Sequence, residues 1–128
     1  MKSAGNASHA GRVLGKMREI CLALPGTVEV AAWGHPNFKA GRKTFAALEE
    51  YKGQLCICFK TTLPDQEALL NDSRYFASPY TGHQGWVSMK AEGRPDWKAI
   101  RHHLVSSYRL VALKRMLELL DSRGARVV

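Results

Sequence analysis

The 128-residue sequence predicts an α+β domain: an antiparallel sheet of about five strands, with an N-terminal helix, a short middle helix and C-terminal helices packed on one face. Three observations predict it. Val13, Leu14, Met17, Ile20, Cys21 and Leu24 fall on one stripe at helical spacing. Between Val28 and Lys60 the chain becomes a series of short strand-like segments punctuated by glycine turns. From Trp97 onward, Ile100, Leu104 and Tyr108, then Leu110, Leu113, Leu117 and Leu120, recur at spacings of three and four.

The elements follow in order. Residues 1–7 are small and polar and read as a disordered tail, and the domain is expected to span 8–122, with 123–128 as a C-terminal tail. The first helix starts near Ser8, with Arg12, Lys16, Arg18 and Glu19 off the apolar stripe. Leu24-Pro25-Gly26 ends it, because proline removes a backbone donor and glycine tolerates the turn. Strands are expected at Val28–Trp33, Pro36–Ala40, Lys43–Tyr51 and Gln54–Lys60, with tight turns at Gly41-Arg42 and Lys52-Gly53. In the fourth, Leu55, Ile57 and Phe59 face one way and Cys56, Cys58 and Lys60 the other. Thr62 is placed to cap a short helix through Leu70, with Asp65 as the acidic partner of a capping box. Arg74–Gly85 has no period and reads as an ordered loop before a fifth strand at Trp86–Ala91. Pro95 and Asp96 suit the start of the next helix, and Ser106-Ser107 with a shift of phase predicts a bend between two helical pieces.

A composition of 45% hydrophobic and 23% charged residues excludes a disordered or fibrous chain. No apolar run approaches the ~20 residues of a membrane span, and no signal-peptide pattern opens the chain. The cysteines, Cys21, Cys56 and Cys58, are odd in number and sit among apolar neighbours, so free thiols and a cytoplasmic location are expected. The formal charge is +8. It is carried by the flanks: seven basic and two acidic side chains in residues 1–43, three and five in 44–85, nine and four in 86–128. Two readings are open, plain solubility or a positive face that attracts polyanions once both flanks meet in space.

No hydrolytic triad, phosphate-cradling glycine loop or dinucleotide fingerprint is present, so no catalytic residues and no cofactor are expected. Cys56-x-Cys58 lacks the tighter pairing and ligand number of structural zinc, and adjacent His102 and His103 point about 100° apart on a helix, so no metal site is expected.

The ordered set Leu24-Pro25-Gly26, Trp33-Gly34-His35-Pro36 with Phe38, Gly41, Lys43, Phe45 and Ala46, Tyr80 and His83 with Gly85-Trp86-Val87, Trp97, and Ser107-Tyr108 with Leu110-Val111 resembles the MmcQ/YjbR family of small bacterial proteins. The resemblance runs from about Cys21 to Leu120. It implies an α+β fold related to frataxin-like proteins and DNA binding through a double wing, and brings no catalytic residues. Frataxin-like iron binding needs an acidic helix face, and here the first helix is basic.

With DNA as the expected partner of a monomer away from membranes, a wing tip needs cations for phosphates. Lys39, Arg42 and Lys43 surround the Gly41 turn, and Lys90 and Arg94 flank a second turn at Glu92-Gly93. The bland reading of each is a solvated turn. Trp33, Trp86, Tyr80, Phe38 and His35 form either a stacking surface or core packing. The alternative function is a protein- or ligand-binding module whose pocket lies near His35, Tyr80, His83 and Trp86.

Overall fold

The computed structural model describes residues 8–127. The first helix, α1 (His9–Cys21), is capped by Ser8, whose hydroxyl accepts from Gly11 N at 3.0 Å. Strands β1 (Thr27–Ala32), β2 (His35–Ala40), β3 (Lys43–Tyr51) and β4 (Gln54–Lys60) follow as a meander. Helix α2 (Leu63–Leu69) is capped by Thr62, which accepts from Asp65 N at 3.2 Å. Then come β5 (Tyr75–Ala77), a 3₁₀ turn (Gly82–Gln84), β6 (Trp86–Lys90), α3 (Trp97–Val111) and α4 (Lys114–Val127).

All strand pairs are antiparallel, in the order β1-β2-β3-β4-β6-β5. Directly paired residues share a face, so the register assigns both sides of the sheet. One row runs Phe38, Ala46, Phe59, Val87, and a second Leu48, Ile57, Met89, Tyr75. These side chains form the core with Val13 and Met17 of α1 and Ile100, Leu104 and Tyr108 of α3, all buried. Among the described residues no helix covers the other face. Its central row runs Asn37, Ala47, Cys58, Ser88 and Phe76, small at Ala47, Cys58 and Ser88, and Ala47, Cys56 and Cys58 pack with half-buried Phe76 and Trp86.

Five points differ from the sequence reading. The sheet has six strands; the extra one, Tyr75–Ala77, is three residues long and shows no period of its own, being held by pairing with β6. Helix α3 runs unbroken through Ser106-Ser107, and the break falls at Ala112-Leu113. A bulge in β3 explains this: Phe38 pairs with Ala46 but Lys39 with Thr44, so Phe45 is an extra residue. Buried Ser107 donates to Phe45 O at 2.6 Å and accepts from Lys60 N at 2.9 Å, replacing ladder bonds the bulge removes. Asp96 caps α3, accepting from Ala99 N at 3.2 Å, and Pro95 precedes the cap. Helix α1 stops at Cys21, so Leu24-Pro25-Gly26 forms the link to β1, where Pro25 O accepts the Tyr108 hydroxyl. Finally, α4 continues to Val127, past the expected domain end at 122. Residues 1–7, expected as a tail, lie outside the described residues, as does 128.

Candidate nucleic-acid interface

Strand directions divide the predicted cations between two ends of the sheet. The β2–β3 turn, Gly41-Arg42, has positive φ (66°) only at its first central residue, which is type II′ geometry. It does not stand free: a Cβ on Gly41 would lie 3.4 Å from Leu113 Cδ1, so the turn rests against the start of α4. Leu113 and Met116 face the turn, so exposed Lys114 and Arg115, between them in sequence, lie at the same end of the sheet as exposed Arg42 and Lys43 but are turned away from the hairpin. Lys39 points to the helix-free face, opposite Thr44. Lys60 points to the same face at the same end, directly opposite Trp86. Among the described residues none of these six cations makes an ion pair.

Lys90 and Arg94 lie at the other end. Lys90 pairs with Cys56, which pairs with Glu49, and Glu49 is six residues along β3 from Lys43, about 20 Å at ~3.3 Å per residue. The five predicted cations therefore do not meet. Acidic groups are also dense at that end. Glu92 accepts from Leu55 N at 2.9 Å, Arg74 is held by Asp72 at 2.8 Å and Asp96 at 3.6 Å, and Glu49 binds His35 at 3.1 Å.

The predicted pocket does not form either. His35 lies on β2 beside Glu49, Tyr80 and His83 sit exposed in the loop at the opposite end, and Trp86 packs on the open face. Of the proposed stacking surface, Phe38 is core, while Trp33 and Tyr80 are 94% and 95% exposed at opposite ends of the sheet.

A cavity of about 320 Å³ occurs elsewhere, between α2 and α3 below the end of β4, lined in part by Phe59, Thr62, Asp65, Leu69, His102 and Ser106. Beside it the His103 ring stacks on Phe59 at 4.5 Å and its Nε2 lies 2.8 Å from the Tyr75 hydroxyl. Burial first, then the neighbouring His102 and Arg74, push His103 down to about 4, so it is neutral at neutral pH. Burial likewise raises Cys56 to about 11 and Cys58 to about 12, which makes both poor thiolates. Among the described residues no group of three or more His, Cys, Asp or Glu is placed to hold a metal ion, and no helix is long and apolar enough to cross a membrane.

Sequence reasoning missed Lys60, Lys114 and Arg115. Lys60 was within reach, since alternation with Cys58 fixes its face. Lys114 and Arg115 were not, because it is the packing of Leu113 and Met116 on Gly41 that places the start of α4 at this end of the sheet.

A family model described as YjbR matches residues 22–110. No curated protein matches the chain. Among solved structures it is similar to the crystal structure of Deinococcus radiodurans protein DR2400, a DUF419 domain. The two are 18% identical with a TM-score of 0.68, over 84% of this chain and 87% of that one.

Proposed function

The chain belongs to the YjbR family, and we propose that it is a cytoplasmic nucleic-acid-binding protein rather than a catalyst, working through the phosphate backbone. The observation that carries this reading is the group of six cations that make no ion pair among the described residues, Lys39, Arg42, Lys43, Lys60, Lys114 and Arg115, drawn from three distant parts of the chain to one end of the sheet. Their chemistry suits phosphates: guanidinium forks and mobile ammonium groups neutralise negative charge and release counterions, which supplies affinity with little sequence preference. The double wing contributes one working tip, at Gly41-Arg42; the Glu92-Gly93-Arg94 turn takes no part.

Titrating a fluorescein-labelled duplex of about 20 base pairs by anisotropy tests this. Four or five phosphate contacts give a slope of log affinity against log salt of about −4. Reversing charge at Lys39, Arg42 and Lys43 together should lower low-salt affinity by roughly 30-fold or more, and reversing Lys52 with Arg94 by less than about 3-fold. No binding at low salt, or equal losses from the two ends, overturns the proposal. A second reading, a small-ligand module, rests on the cavity between α2 and α3 and is what an absence of binding would favour.

A further inference from the structure

On the helix-free face, β2, β3, β4 and β6 present Lys39, Thr44, Lys60 and Trp86 in one row that crosses the strands. At ~4.8 Å per strand, Lys60 stands next to Trp86 and Lys39 about 14 Å from it. The indole is half-buried against the small side chains of Ala47, Cys56 and Cys58, which support it while leaving part of it to solvent. Phe76, on the neighbouring edge strand, packs on the same cluster. The acidic group on this face, Glu49, lies toward the far end and is bound by His35.

We infer that this row binds single-stranded nucleic acid, with phosphates on Lys39 and Lys60 and an unstacked base on Trp86. The inference rests on the phosphate-binding reading above and names its substrate class. Charge alone does not separate duplex from single strand, but the aromatic does. In a duplex each base is already stacked between its neighbours, and the phosphates ring the outside, so Trp86 would meet sugar and phosphate. A single strand lying across the sheet offers its bases to an indole and its phosphates to the lysines beside it. No hydrogen-bond readout is involved, so sequence preference should be weak.

The test compares a labelled 12-nucleotide single strand with its duplex, followed by anisotropy and by tryptophan fluorescence. The single strand should bind at least about 5-fold more tightly and quench tryptophan emission, since each base–aromatic stack contributes substantially. Trp86→Leu keeps apolar packing and should cost about 10-fold in single-strand affinity, abolish most of the quench and change duplex affinity less than about 2-fold. Trp33→Phe should change none of these. Lys60→Gln, which leaves the aromatic packing intact, should lower single-strand affinity by about 3-fold and reduce the salt slope by about 0.7. If the duplex binds as well as the single strand and the emission is unchanged, the inference fails and the phosphate-binding function stands. If neither ligand binds at low salt, the function itself fails and the inference with it.

Discussion

The two ends of the sheet are built on different principles. At the basic end the hairpin is fixed from outside: Gly41 rests on Leu113 and Met116, Ser107 bonds into the bulge, and Tyr108 bonds Pro25 O. At the other end the β1–β2 and β3–β4 turns are closed by their own backbone. Trp33-Gly34 and Lys52-Gly53 both have positive φ at each central position, the type I′ pattern, and a Cβ on Gly34 or Gly53 would meet nothing within 4 Å. The lesson is that charge follows tertiary fixation. Cations held near one another without counter-ions repel, so the basic end needs contacts that the mixed-charge end, with its Asp72–Arg74–Asp96 and His35–Glu49 pairs, does not.

The sharpest way to break this comparison is Ser107→Ala. It leaves a buried carbonyl and a buried N–H without their partner, and should destabilise the fold by about 2–4 kcal/mol, measured by urea unfolding. A loss below about 1 kcal/mol would mean that water or a local shift of β3 replaces the hydroxyl, and that the basic end is not fixed by α3. Next in size is Gly41→Ala. The added methyl meets Leu113 at an ordinary contact distance, so the cost comes from φ at +66° and should be about 1–2 kcal/mol. The smallest effect has the opposite sign. Trp33→Asn exchanges a bulky residue at φ +57° for one that favours the left-handed region, and should stabilise by about 0.5–1 kcal/mol in the same assay. Destabilisation there would show that the exposed indole contributes to the fold and that the far end is less self-sufficient than its turns suggest.

Much of this fold was legible in the sequence because alternation and turn glycines are local signals. Lys43–Tyr51 and Gln54–Lys60 emerge at their observed bounds, with Lys52-Gly53 between them. Tyr75–Ala77 was not legible, because three residues carry too little period to be told from loop. Nor was the bulge at Phe45: one extra residue reverses the facing of all that precedes it on β3, and no residue type announces it. The serine pair misled for a related reason. Ser107 looks like a helix interruption until β3 and β4 are laid beneath it, where its hydroxyl fills a gap in the ladder. The candidate interface was legible by halves. Lys39, Arg42 and Lys43 are neighbours along the chain, whereas Lys114 and Arg115 join them only through a turn of the backbone at Ala112-Leu113.

The bulge hydroxyl also sets a dimension. Bonded at once to Phe45 on β3 and to Lys60 on β4, Ser107 ties α3 to two neighbouring strands at one point. The junction just beyond it, which carries Lys114 and Arg115, is thereby indexed to Lys43 just before the bulge and to Lys60 itself. One of the contacts that space positive groups from the middle and the end of the polypeptide is thus an oxygen atom sealed inside the protein, out of reach of anything those groups would hold.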